Sequence, residues 1–105
     1  MEENVERKLT NLLSMASRAR RIVSGMTNCV EAIKKNEAKI ILVAEDAKDR
    51  TKKEIFELSE KFSVRAYEIL TKKALGNALG KEERAIVGVL DEGFSKAVEK
   101  ILSVV

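Results

Sequence analysis

The sequence has no histidine, no proline and no tryptophan, and Cys29 is its only cysteine. Without histidine the chain cannot form Cys/His zinc sites, Ser-His or Cys-His nucleophile systems, or imidazole acid–base pairs. A single cysteine forms no internal disulfide. These absences remove the commonest catalytic and metal sites, so we expect no enzyme activity, no metal and no cofactor.

Long apolar runs are also missing. The longest, Ile40–Ala44, has five residues, whereas a membrane span needs roughly 20. The first six residues, Met1–Glu6, are acidic and polar, unlike a signal peptide. With no proline and only five glycines, no segment has the composition of a linker. We therefore expect one cytoplasmic domain over residues 1–105, with no membrane partner and in the monomeric state.

Charge is distributed unevenly along the chain. Between Arg7 and Lys39 there are eight basic residues against two acidic ones, whereas Ile40–Val105 holds twelve of each. The positive excess therefore lies in the N-terminal third, where a polyanion could bind. The alternative is a solvated surface rich in lysine and glutamate, as in heat-adapted proteins.

Hydrophobic spacing predicts alternating helices and strands. Apolar residues recur at helical spacing in five segments and form short runs between turn residues in four others. The predicted helices cover 4–19, 26–36, a segment capped by Asp49 with Thr51, Ile55, Leu58 and Phe62 as its buried stripe, a segment from Thr71 to about Gly80, and one containing Phe94, Ala97, Val98 and Ile101; the predicted strands cover 21–24, 40–44, about 64–69 and 85–90. This alternation favours an α/β fold with a mostly parallel sheet covered on both faces.

Four segments taken together resemble the kink-turn-binding ribosomal protein family (the large-subunit "L-seven-Ae / L-thirty-e" group), and within it the small bacterial YlxQ-like branch. The segments are Leu13–Ala19 with Ile22–Gly25, Ala38–Ala47, Ala74–Lys81, and Ala85–Phe94 with its Asp91-Glu-Gly-Phe94 ending. Each motif is unspecific alone, but the four are in register over nearly the whole chain. The resemblance implies a three-layer α/β/α sandwich with a four-stranded mixed sheet.

The resemblance also implies a ribonucleoprotein role: binding of structured RNA, in ribosomal RNA or another kinked stem with tandem sheared G·A pairs. Relatives read such RNA with the start of the second helix and a loop near the last strand. Gly25 precedes that helix here, where a residue without Cβ lets a phosphate approach the backbone. The helix N-terminus favours an anion at the same place.

The family's reading pattern, Gly-x-Asn-Glu-x-x-Lys, is only partly present. This chain has Gly25-Met-Thr-Asn-Cys-Val-Glu31, so Thr27, Asn28 and Glu31 stand where the family has Asn, Glu and Lys. Asn28 carries a donor and an acceptor that can read a base edge. Glu31 would repel a phosphate placed as in the archaeal relatives.

Two further features enter the expected RNA surface. In the loop near the last strand, charged residues from Lys81 to Arg84 replace the family's apolar contacts. An arginine trio precedes the first strand and is expected to project towards the Gly25 end of the second helix, where arginine suits bidentate phosphate contacts. The alternative for the trio is complementation of the first helix's C-terminal dipole. The expected RNA-binding residues are Arg18, Arg20, Arg21, Gly25, Met26, Thr27, Asn28, Glu31, Gly80, Lys81 and Arg84.

Other constellations favour structural roles. Glu45 and Asp46 follow a strand end, where carboxylates hold magnesium or do acid–base work in some proteins, but no nucleophile accompanies them. The resemblance implies instead a loop near the RNA, and the structural alternative is an acidic cluster with Asp49 at a helix N-terminus. Gly76–Gly80 lacks the strand-to-helix context of a phosphate-binding loop. Cys29 falls on an apolar helix stripe and is expected in the core. The four aromatic residues fall mostly on core stripes, which favours a folded RNA over stacked single strands.

Two other functions stay open. A protein-interaction adaptor could keep this fold without RNA recognition, and the incomplete Asn-Glu-Lys pattern is the feature that favours it. An RNA-recognition module acting beside a modification enzyme is the weaker alternative.

Overall fold

A computed structural model describes residues 2–103, which form five helices and four strands. Every element lies where the hydrophobic spacing predicts it. In chain order they are α1 Glu3–Arg18, β1 Ile22–Ser24, α2 Met26–Lys34, β2 Ile40–Val43, α3 Asp49–Lys61, β3 Arg65–Glu68, α4 Lys72–Ala78, β4 Ile86–Val89 and α5 Glu92–Leu102.

The four strands form one mixed sheet in the order β1-β4-β2-β3. Only β2 and β3 are parallel, since β4 pairs antiparallel with both β1 and β2. The expected mixed sheet is confirmed, but the prediction of a mostly parallel one was wrong. After α4 the chain returns to the first turn of that helix, where the Arg84 N–H donates to the Lys72 carbonyl over 3.1 Å. β4 therefore starts at the end of the sheet where β3 stops and must run in the opposite direction.

Helices cover both faces of the sheet, as the three-layer α/β/α sandwich requires. α1 packs against α4 and α5 in one layer, and α2 packs against α3 in the other. Both inner strands, β2 and β4, are buried along their whole length. Gly88 in β4 lets the Val23 side chain of β1 pack closely, because a Cβ there would lie 3.0 Å from a Val23 methyl group, whereas the Cys29 sulfur of α2 would be in ordinary contact at 3.6 Å. Cys29 is fully buried, which confirms the core position expected for it.

Two of the predicted helix features differ in the structure. The hydroxyl of Thr71 caps α4 by accepting the Ala74 N–H at 3.1 Å, as expected. Asp49, however, is not a cap: it is the first residue of α3, and Lys48 occupies the N-cap position without a side-chain bond. An acidic side chain in a first turn still complements the positive end of the helix dipole.

The apolar stripe of α1 is wider than the face that it buries. Leu9, Leu13 and Ala16 are buried under the sheet, as the spacing predicts. Leu12 is only half-buried, and Ala19 is exposed. No helix within residues 2–103 has both the length and the apolar content of a membrane span.

Candidate nucleic-acid interface

The turn between β1 and α2 is built on Gly25, whose φ of 87° and ψ of 157° lie in a region that favours glycine. Its N–H donates to the Ile86 carbonyl over 2.9 Å, which fixes the turn to the start of β4. A Cβ added to Gly25 would meet nothing within 4 Å. The glycine is therefore required by its backbone conformation, and the space above the turn is open.

The first turn of α2 offers backbone donors at this opening. The N–H groups of Met26, Thr27 and Asn28 have no acceptor among the described residues. Thr27 and Asn28 are exposed, and Met26 is half-buried. The Asn28 side-chain nitrogen donates to the Ser24 carbonyl over 3.1 Å, which holds the amide beside the turn. Such a helix start favours an anion, because its N–H groups and its dipole act together.

The Gly80–Arg84 loop runs back along α4 towards this turn. Gly80 ends the helical segment with a φ of 67°, and the Lys81 N–H donates to the Gly76 carbonyl over 2.9 Å. A Cβ on Gly76 would overlap the Glu82 carbonyl oxygen, so the loop can lie on the helix only because residue 76 is glycine. α4 is about 10 Å long at 1.5 Å per residue. The Gly76 carbonyl that bonds Lys81 lies about 6 Å along the helix from the Lys72 carbonyl that bonds Arg84.

Arg84 connects the loop to the Gly25 turn. Its Nε donates to the Ser24 hydroxyl oxygen over 3.2 Å. A guanidinium nitrogen of the same side chain donates to the carbonyls of Glu82 and Glu83, at 3.3 and 2.9 Å. The side chain is half-buried and holds the loop from inside. Its geometry is that of a positioning residue, since much of its donor capacity is directed to the protein.

Glu31 lies one turn further along α2, and its charge is compensated. Its carboxylate is 2.7 Å from the Lys35 ammonium, and both side chains are more than half exposed. The hydrogen bond from Lys35 and the positive charge of that residue lower the pKa of the Glu31 carboxyl. The chain therefore places an ion pair where the family pattern has a lysine.

The arginine trio lies at the other end of β1. The Arg21 carbonyl accepts the Leu90 N–H at 2.8 Å, at the end of β4 that is opposite to the Ile86 carbonyl bonded by Gly25. Arg21 and Gly25 are four residue steps apart along β1, about 13 Å at 3.3 Å per residue. The prediction that the three arginines project near the Gly25 turn was therefore wrong. The basic residues cluster in sequence, but a strand divides them from the turn.

We call Arg18, Arg20 and Arg21 the arginine turn, since they lie where α1 leads into β1. All three are exposed. Arg18 donates to the Ser14 hydroxyl over 3.0 Å, and Arg20 has a φ of 60°. Within residues 2–103 none of them lies within 4.0 Å of a carboxylate. The arginine turn is therefore a separate basic cluster with its charges open to solvent.

The two acidic residues that follow β2, Glu45 and Asp46, both accept hydrogen bonds from other elements of the protein. The Asp46 side chain accepts the Lys72 N–H at 2.8 Å and so fixes the start of α4. The backbone carbonyl of Glu45 accepts a hydrogen bond from the Lys52 ammonium group at 2.7 Å. In the described part of the chain no three histidine, cysteine or acidic side chains are grouped as metal ligands would be. The arrangement of Asp46 is that of a structural bond.

Comparison with known proteins identifies the family. Residues 7–99 match the model of the Ribosomal protein L7Ae/L30e/S12e/Gadd45 family. The chain belongs to this family. The resemblance carried by the four sequence segments is confirmed, and its YlxQ-like branch is confirmed by the relatives described next.

Two relatives in the L7Ae-type family carry the name RNA-binding protein YlxQ. The protein from Bacillus subtilis (strain 168) is 34% identical over 91 residues, covering 87% of this chain and 91% of the relative. The one from Enterococcus faecium is 30% identical over 102 residues, covering 97% of this chain and 98% of the relative. Both alignments span the Gly25 turn and the Gly80–Arg84 loop in this chain.

Solved structures show the same L7Ae-type fold. A Bacillus halodurans C protein of unknown function superposes with a TM-score of 0.88 at 29% identity, covering 91% of this chain and 97% of its own. The Giardia lamblia 15.5kD RNA binding protein superposes with a TM-score of 0.78 at 20% identity, covering all of this chain and 90% of its own. At 20% identity, the match to the Giardia lamblia protein shows similarity of fold alone.

The structural roles of three residues that organise the candidate interface were not predicted from the sequence. Ser24 accepts bonds from both Asn28 and Arg84, Gly76 admits the loop, and Asp46 fixes α4. A signal existed for Gly76, because an isolated glycine inside a helical pattern often marks close packing. Nothing local marks Ser24, whose partner Arg84 is 60 positions away.

Proposed function

We propose that this L7Ae-family protein binds structured RNA, preferentially a kinked stem, and catalyses no reaction. The observation that carries the proposal is the hydrogen bond between Arg84 and Ser24. It joins the loop before β4 to the open start of α2, the two segments by which the family resemblance implies RNA is read. The name of the YlxQ relatives, RNA-binding protein, supports the same activity.

The Gly25 turn would receive a phosphate of the bent strand. The backbone donors of Met26, Thr27 and Asn28 can bind a phosphate oxygen, and the absence of a Cβ at Gly25 leaves room for it. The exposed side chains of Thr27 and Asn28 would then contact base edges, which carry the sequence information. This division gives the turn both affinity and preference for one RNA shape.

The arginine turn would add phosphate contacts of a different kind. Lying about 13 Å from Gly25 at the strand spacing of 3.3 Å per residue, it reaches a second stretch of RNA backbone. Such contacts add affinity at any sequence and fall with salt. The Gly80–Arg84 loop, with the exposed Lys81 at its far end, would flank the stem on the other side.

The cellular target that we propose is ribosomal RNA, because the family is named for ribosomal proteins. The protein would bind as a monomer in the cytoplasm, either on mature ribosomes or during their assembly. A ribonuclease-treated pull-down separates this from the adaptor alternative, because a protein partner would stay bound after RNA digestion.

A salt series with two matched RNAs tests the proposal. One stem contains tandem sheared G·A pairs, and the other has Watson–Crick pairs at those positions. We expect the kinked stem to bind about tenfold more tightly, within the range for differences of one or two base contacts. The logarithm of affinity should fall against the logarithm of salt by about 0.9 for each phosphate neutralised.

Two double variants separate the proposed base contacts from the proposed phosphate contacts. Thr27→Ala/Asn28→Ala should abolish the preference for the kinked stem and keep the salt slope, whereas Arg20→Ala/Arg21→Ala should flatten the slope equally on both RNAs. Lys53→Ala/Lys96→Ala is the matched control, since it removes two positive charges elsewhere. Equal binding of both stems by the wild-type protein, unchanged in all variants, would contradict the proposal.

A further inference from the structure

An apolar groove lies between α1 and α5, on helices that contribute nothing to the Gly25 turn or to the Gly80–Arg84 loop. Leu12 and Met15 from α1 face it together with Ala97 and Ile101 from α5. Leu12 is one of the residues by which the apolar stripe of α1 exceeds its buried face. The groove is therefore a continuation of the hydrophobic layer that opens to solvent.

Met15 is the most exposed part of this surface. Half of its accessible area faces solvent, and it is the only large hydrophobic residue so exposed in the described part of the chain. Leu12, Ala97 and Ile101 are half-buried beside it. The small side chain of Ala97 leaves space between the helices, and methionine adapts its shape to a partner. A groove of this kind fits the apolar face of a helix.

Lysines provide all the charge around the groove. Lys8 and Lys100, one from each helix, line it, and no carboxylate does. Neither lysine lies within 4.0 Å of a carboxylate among residues 2–103, although six other cations there do. Both are exposed. A partner that complements the groove therefore carries negative charge on both sides of an apolar stripe.

We propose that the α1–α5 groove binds an amphipathic helix of a partner protein. The apolar side chains of that helix would contact Met15 and Leu12, and its acidic side chains would pair with Lys8 and Lys100. A second copy of this chain is a poorer occupant, because self-pairing of the groove would bring its lysines together. RNA is a poorer occupant as well, because the floor between the lysines is aliphatic and offers no aromatic ring for stacking. The groove shares no lining residue with the arginine turn, the Gly25 turn or the Gly80–Arg84 loop.

A designed peptide tests the groove on the full chain. The peptide is a fluorescein-labelled 16-residue helix with leucines at i, i+3, i+4 and i+7 and glutamates on both flanks. A control peptide of the same design has lysines at the glutamate positions. We expect saturable anisotropy changes with the acidic peptide and binding weaker by about tenfold with the basic one, for two exposed ion pairs lost and two repulsions gained.

Variants on the protein complete the test. Met15→Glu should abolish binding and leave the fold intact, because the side chain is exposed. Lys8→Glu/Lys100→Glu should reverse the preference, so that the basic peptide binds more tightly. Lys53→Glu, on the opposite helix layer, is the matched control and should change nothing. All variants should keep wild-type affinity for the kinked stem, which separates this site from the proposed RNA surface.

Three results would overturn the proposal. They are equal binding of the acidic and basic peptides, binding that survives Met15→Glu, and a dimer in sedimentation that Met15→Glu dissociates. The last would assign the groove to a second copy of the chain.

Discussion

The Nε of Arg84 donates to the hydroxyl of Ser24 over 3.2 Å and thereby links two segments 60 residues apart. We expect this bond to couple the residues energetically. In a double-mutant cycle of Arg84→Ala and Ser24→Ala, the coupling in the free energy of unfolding should be about 1 kcal/mol, as for a half-buried hydrogen bond with one charged partner. Urea denaturation measures it. Ser24→Ala with Thr27→Ala is the control cycle and should show additive effects.

Gly76→Ala should destabilise the protein by about 3 kcal/mol, because its methyl group would overlap backbone that cannot move without displacing the loop. The urea midpoint should fall accordingly. Asn77→Ala, an exposed neighbour on the same helix, should stay within about 0.5 kcal/mol of wild type. A Gly76→Ala variant as stable as Asn77→Ala would show that the loop does not rest on α4.

Because of Cys29, we expect the free energy of unfolding to depend on pH in the alkaline range. Burial raises the pKa of its thiol from 9.0 to about 12. Between these values the folded chain keeps a proton that the unfolded chain loses, so stability falls as pH rises, by about 1.4 kcal/mol per pH unit. Titration of unfolding from pH 9 to 10.5 should show a steeper loss in the wild type than in Cys29→Ala. Parallel slopes would contradict this prediction, whatever the offset between the curves.

The Glu31–Lys35 pair should limit RNA affinity. Glu31→Gln removes a negative charge and releases Lys35, so we expect binding of the kinked stem to strengthen about threefold and the salt slope to steepen by about 0.9, one additional phosphate. Glu60→Gln removes the same charge from an exposed position on α3 and is the control. An unchanged slope in Glu31→Gln would mean that Lys35 meets no phosphate.

Local signals explain most of what the sequence predicted correctly. The cap at Thr71, the turn at Gly25 and the buried strand at Ile40–Val43 each depend on residues within a few positions, where side-chain chemistry decides backbone conformation. The family resemblance then supplied the sheet type and the two segments that we propose to read RNA. Asp49 was misplaced by one residue, because acidic side chains suit both a cap and a first turn.

Relationships between distant segments could not be predicted. The arginine turn was misplaced because charge counted along the chain does not reveal that β1 carries it to the other end of the sheet. The direction of β4 depends on how the loop returns along α4, which rests on a contact between Gly76 and Glu82. The bond from Arg84 to Ser24 likewise exists only once the sheet is assembled.

The central position of β4 has a consequence for the order in which the protein acquires activity. β4 separates β1 from β2 in the sheet but follows both by more than 40 residues in the chain. A nascent chain that ends before Arg84 has no partner strand for β1 and only β3 beside β2, and its Gly25 turn has neither Ile86 nor Arg84 to hold it. The proposed recognition of RNA would therefore be acquired late in synthesis, after β4 has joined the sheet.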